Sequence, residues 1–289
     1  MTSLSALVAA ELALSVDPRV SALAATIAAR HGGARAVLFY GSCLREAKLD
    51  GLMLDFYLIV ADYRRAYAKR WLAAANRLIP PNVFYVEDRG LAAKYAVLSE
   101  ADFDRLNGPE TRNVSVWARF AQPARLVWSA DEAAANKVVA AVSRAAPTLL
   151  AAAGEVPGEE PLDRWRRAFA LTYSAELRAE RKARAASVVD LDPERYRRFS
   201  GPALAAAKKL RIRPGGWARR RIEGKALSVA RLAKASLTFA GGPDYIAWKI
   251  NRHAGTDIQL KPWQRRGADV AARLDGRERW RPRLPAHRR

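Results

Sequence analysis

Residues 37–60 read VLFYGSCLREAKLDGLMLDFYLIV. The stretch opens with an apolar run, Val37 to Tyr40, and turns at Gly41-Ser42. A short polar segment follows, and then a second apolar run, Met53 to Val60, interrupted by one acid, Asp55. The pattern predicts strand, tight turn, short helix, strand. Gly41 has no Cβ, so its backbone can approach a bound group closely. The Ser42 hydroxyl and the amides of the segment after it can donate to phosphate oxygens. Asp is depleted in strands, and a carboxylate inside MLDFYLIV needs a cation or solvent to balance it. A metal ion, a Lys or Arg, or a solvent-facing strand end would each serve.

This is how a nucleotidyltransferase domain of the polymerase-β type opens its site, with Asp55 holding magnesium against the phosphates. The generic pattern places two acids two residues apart, so that both point to one face. Here the second position is Tyr57. Further ligands are left open among Asp50, Asp62, Glu87 and Asp88.

The departure at Tyr57 is shared with one family. The chain resembles the mitochondrial-type phosphatidate cytidylyltransferases, the translocator assembly and maintenance family of CDP-diacylglycerol synthases. Its Tyr-Gly-Ser turn is matched by Tyr40, Gly41 and Ser42, and its Leu-Asp-Phe strand by Leu54, Asp55 and Phe56. Its Lys-Tyr-Gly-Val-hydrophobic-Ser segment is matched by Lys94 to Ser99, with Ala96 in place of Gly. The stretches SVWARFAQPARLVW and ALTYSAELRAERKARAASVV resemble two further family segments, so that the likeness runs over roughly residues 35–200.

The resemblance implies CTP plus phosphatidate giving CDP-diacylglycerol plus pyrophosphate, with Mg2+, at a membrane surface. It implies Asp55 as metal ligand, Lys94 as catalytic residue, and Tyr40, Gly41 and Ser42 on the nucleotide phosphates. Arg178 and Lys182 lie four residues apart and share a helix face; within the cluster of Arg178, Arg181, Lys182 and Arg184 they are the pair expected to grip a phosphate. The partners expected are CTP, phosphatidate and an anionic membrane, and not nucleic acid. The alternatives are nucleotidyl transfer to RNA or a soluble acceptor, and a non-catalytic polyanion-binding relative.

Composition narrows the field. The 289 residues are half apolar, which suits a folded chain. A single cysteine, Cys43, excludes an internal disulfide framework. His31, His253 and His287 have no metal-ligand spacing. The net charge of +21 is uneven: residues 1–150 carry 18 Lys and Arg against 14 Asp and Glu, and residues 151–289 carry 32 against 15. The second part is therefore the polyanion-facing one. No run of about 18 apolar residues suggests a membrane span, and the start of the chain reads as an amphipathic helix rather than a signal peptide. A cytoplasmic protein, peripheral on the inner face of the membrane, is expected.

The expected fold class is α+β: a nucleotidyltransferase domain with a mixed sheet over 1–155, a helical basic domain over 156–266, and a mobile Arg-rich tail over 267–289. Expected helices cover 3–31 with a break at Asp17-Pro18, 63–78, 100–107, 113–121, 131–153, 162–186, 193–210 and 217–239. Expected strands cover 36–40, 52–60, 82–88, 93–99 and 124–129, with a turn at Arg89-Gly90. Residues 154–161 read as a linker. In 217–239, Trp217, Arg219, Arg220, Arg221, Lys225, Arg231 and Lys234 interleave with apolar residues, as in helices that lie on anionic membranes.

Overall fold

The computed structural model describes residues 2–46, 49, 52–176, 188–210, 212, 216–238 and 259. Arg178, Arg181, Lys182, Arg184, Asp50 and the segment 267–289 lie outside the described residues.

Two helices lead in, α1 (Leu4–Leu12) and α2 (Pro18–Ala29). The break between them falls where Pro18 takes the first turn of α2 and the Asp17 carboxylate accepts from the Arg19 amide at 2.8 Å. Then come β1 (Ala34–Tyr40), α3 (Ser42–Glu46), β2 (Met53–Val60), α4 (Tyr63–Ala66), α5 (Arg70–Leu78), β3 (Asn82–Asp88) and β4 (Leu91–Ser99). The β3–β4 turn holds Arg89 and Gly90 at φ 47° and 79°. After α6 (Glu100–Asn107), α7 (Trp117–Phe120) and β5 (Ala124–Ser129), the chain is helical: α8 (Glu132–Ala153), α9 (Pro161–Ala175), α10 (Pro193–Lys208) and α11 (Trp217–Thr238).

The five strands form one mixed sheet in the order β3-β4-β2-β1-β5. Only β2 and β4 run parallel; the other neighbours are antiparallel. The sheet is covered on both faces, which is why its central strands read as nearly unbroken apolar runs. Phe39, Phe56, Leu58, Phe84, Tyr95 and Val97 meet α2, α4 and α5 on one face. Leu38, Tyr57, Ile59 and Leu98 meet the other helices on the second face. That second core continues without a break through Leu149, Trp165, Phe169, Tyr196 and Phe199 to Trp217.

Several expected boundaries move. The helix expected over 63–78 is two helices, because Tyr67 is extended between α4 and α5. The helix expected over 113–121 shortens to α7, with Thr111 and Asn113 accepting from the amides of Asn113 and Ser115 instead. The helix expected from 162 stops at Ala175, where Glu176 turns extended. Residues 154–161 are fastened to α9 by Arg167, which donates to the Ala153 carbonyl at 2.7 Å and to Glu159 at 2.6 Å. His31 is buried between the Ala66 carbonyl and the Tyr95 hydroxyl, each 3.0 Å away. No helix among the described residues is long and apolar enough to cross a membrane.

A candidate polyanion site on the central strands

Strand register lines up the residues that chemistry singles out. Asp55 lies opposite Tyr40 on β1 and opposite Lys94 on β4, and Lys94 lies opposite Tyr85 on β3. Registered neighbours point to the same face, so Tyr40, Asp55, Lys94 and Tyr85 form one row across four strands. Tyr57 sits in the next row, on the same face.

Asp55 and Lys94 make an ion pair, Nζ to Oδ1 3.0 Å, with 31% of the Lys94 side chain and 21% of the Asp55 side chain exposed. Oδ1 is enclosed and accepts no hydrogen bond of good geometry, so the ammonium charge is what balances it. The other oxygen faces the turn after β1. Gly41 has φ +98°, and a Cβ there would stand 3.1 Å from Asp55 Oδ2. The glycine is thus required twice, for its backbone conformation and for its closeness to the carboxylate. Ser42 opens α3 directly behind it, half-buried. Cys43 is buried with Sγ 3.5 Å from the Met53 carbonyl, a small packing residue in the turn.

Arg119, Glu176 and Arg231, which the sequence reading did not assign to the site, complete its wall. Trp117, Ala118 and Phe120 are buried and anchor α7. The Phe120 ring meets Tyr57 at 5.2 Å and Tyr40 at 6.1 Å. Arg119 is thereby held beside those tyrosines. It donates to the Ser115 carbonyl and lies 3.6 Å from Glu176, whose side chain is only 8% exposed. Burial opposes the Arg119 charge, but Glu176, then Tyr57, Tyr40 and Asp55, outweigh it and hold the guanidinium cationic. Burial, then the Asp55 charge, pushes the Tyr40 phenol up, so Tyr40 stays protonated and can donate.

The third residue is Arg231. Helix α11 lies close on the end of α9: a Cβ on Gly224 would stand 2.2 Å from the Ala175 carbonyl. Arg231 donates to the Pro80 carbonyl at 2.8 Å and to Ser115 Oγ at 2.9 Å. Lys234 donates to the carbonyls of Ile79 and Pro81. So the residues read as a membrane-facing set divide. Trp217, Arg220, Arg231 and Lys234 dock inward, Arg220 on the Arg112 carbonyl and over the Trp217 ring. Arg219, Arg221 and Lys225 stay outside, beside exposed Ile222, Val229 and Leu232.

The open metal-ligand candidates sort as follows. Asp62 caps α4, accepting from the amides of Arg64 and Arg65, which is a structural duty. Asp88 accepts from Thr26 of α2 at 3.0 Å. Glu87 accepts from Tyr85 at 2.9 Å and shares the face of Lys94. Among the described residues no three His, Cys, Asp or Glu side chains converge. Asp55 alone fits a magnesium ion carried mainly by substrate phosphates; the described residues do not fit an all-protein cage. A shallow cleft of about 230 Å³ near Arg19, Asp88 and Arg89 lies on the α2 side of the sheet and does not reach this row.

The arrangement offers the Asp55 carboxylate paired with Lys94, the Glu176 carboxylate beside Arg119, a protonated phenol and the further cation Arg231 at the end of a buried sheet face. It suits a group of high negative charge. Scanned against protein-family models the sequence finds no match, and a search of curated proteins finds no significant one.

Proposed function

We propose that the chain is a magnesium-dependent nucleotidyltransferase of the polymerase-β type, and specifically a phosphatidate cytidylyltransferase of the family it resembles. The observation that carries the reading is the Gly41 turn pressed against Asp55, with Lys94 paired to the same carboxylate. An oxygen of the lipid phosphate attacks the α-phosphorus of CTP, the bond to the β-phosphate breaks, and pyrophosphate leaves. Every partner is an anion, so catalysis is positioning and charge neutralisation. Magnesium, when bound, would withdraw charge from the triphosphate; Asp55 would hold it. Gly41 and Ser42 let the backbone and a hydroxyl approach the phosphates. Lys94 keeps the Asp55 charge balanced and places a cation beside the phosphates. Tyr40 donates from a fixed position beside them.

The acceptor stays in a bilayer, so the protein must dock on an anionic surface. The exposed side of α11 supports this, since Ile222, Val229 and Leu232 lie along it with Arg221 and Lys225 between. Arg221→Ala with Lys225→Ala is expected to weaken vesicle binding, by roughly 1 kcal/mol per cation removed. Sedimentation with vesicles containing phosphatidate reads this, and unchanged binding would move the docking face elsewhere.

The reaction itself is tested by pyrophosphate release with magnesium, offering each ribonucleoside triphosphate with and without phosphatidate vesicles. Release only with CTP and lipid together, abolished in Asp55→Asn with the fold intact, is the expected result. Release without lipid would point to RNA or a soluble acceptor, and no release at all to a binding protein.

A further inference from the structure

Lys94 is matched by Asp55 and Arg119 by Glu176. No carboxylate among the described residues pairs with Arg231. Two of its nitrogens are committed, Nε to the Pro80 carbonyl and Nη1 to Ser115 Oγ. The third, Nη2, is enclosed and makes no hydrogen bond. An enclosed charged donor without an acceptor is costly and rare in folded proteins. Arg231 and Arg119 meet at Ser115, Arg231 donating to its Oγ and Arg119 to its carbonyl, so the free nitrogen lies in the same wall as the Arg119 guanidinium. Two guanidiniums that meet at one serine, with a carboxylate paired to only one of them among the described residues, make a setting for an oxyanion, and the planar fork of Arg suits phosphoryl oxygens.

We propose that Arg231 of α11 and Arg119 of α7 form a subsite for a phosphoryl group beside the Asp55 row. Helix α11 then belongs to the binding site through its inner face, whatever its outer face touches. The class of ligand rests on the nucleotidyl-transfer reading; the test does not. The phosphoryl group belongs either to the diphosphate end of a nucleotide or to a phosphate monoester acceptor.

The test is calorimetric titration of the full chain with inorganic pyrophosphate and, separately, with glycerol 3-phosphate. Arg231→Met is expected to weaken binding of one of these anions by about tenfold or more, and the anion affected tells which source the subsite serves. Arg231→Lys keeps the charge without the fork, so it is expected to fall between, and it stands in should the Met variant fail to fold. Lys234→Met removes a docking contact of the same helix and is expected to change binding by less than about threefold, having no donor in the subsite. Binding of both anions as tightly by the Arg231 variants as by the wild type would overturn the proposal. So would an equal loss in Lys234→Met, which would reduce Arg231 to a clamp. Anion binding lost in a protein that never turns over CTP keeps the subsite and removes the reaction; unchanged turnover in Arg231→Met does the reverse.

Discussion

At the scale of single residues, Gly41 and Lys234 carry the sharpest consequences. In Gly41→Ala the new Cβ meets Asp55 Oδ2 at 3.1 Å, at a φ that L side chains rarely adopt. The turn must shift, and displacements of about 1 Å at a reacting centre can cost roughly a hundredfold in rate. A loss of about that size in pyrophosphate release, with circular dichroism unchanged, is expected; full activity would remove the turn from the site. Lys234 is pulled from its ordinary 10.5 down to about 7, by burial first and the Arg231 charge second. Between pH 7 and 10.5 the unfolded chain then holds a proton that the folded chain has released, so this residue adds stability as pH rises through that window. Below pH 7 both states are protonated and the gain is absent. The melting temperature of the wild type should therefore rise relative to Lys234→Met from pH 7 to pH 9. A constant difference between the two would show that the ammonium is not titrating there.

At the scale of elements, α11 is the informative one. Its sequence reads as basic and amphipathic, and that is correct as far as periodicity goes. Periodicity does not say which of two polar-and-apolar faces is buried. Gly224 settles it by letting the helix axis approach the end of α9. Ala is the better helix former by about 1 kcal/mol, so an isolated helix would gain from Gly224→Ala. Here the methyl would sit 2.2 Å from a backbone carbonyl, and overpacking of that kind costs typically about 1–3 kcal/mol. A lower melting temperature together with reduced anion binding is expected. A more stable variant would mean that α11 is not seated as described. The same reasoning explains the helix ends that moved. Capping side chains and the Arg119–Glu176 contact compete locally with helix propensity, and a window of sequence does not reveal which wins.

At the scale of the molecule, the first helix is tied to α10. Glu11 of α1 and Arg195 of α10 form a two-pronged ion pair, with Nη2 to Oε1 at 2.8 Å and the Arg195 side chain only 3% exposed. Arg195 also donates to the Ala121 carbonyl and lies against the Tyr196 and Phe199 rings. Removing one partner of a buried pair strands the other charge, at a cost of about 3–5 kcal/mol. Glu11→Gln should lose stability in that range in denaturant unfolding, while a change below about 1 kcal/mol would place the pair in effective contact with water.

The strands, the Gly41 turn, the break at Asp17-Pro18 and the Arg89-Gly90 turn were legible in the chain because each depends on a few neighbouring residues. Asp55 stood out for the same reason: an acid in an apolar strand needs an explanation within its own window. Its pairing with Lys94 was less accessible, since it requires β2 and β4 to run side by side and in parallel, with the register that sets the two residues opposite. Arg119, Glu176 and Arg231 were not legible as a group. They stand in different helices or at their ends, and each is an unremarkable charge in its own segment. Packing of α7, α11 and the end of α9 beside the sheet brings them together, and the burial that follows takes their charges out of bulk solvent, which no single window of sequence shows.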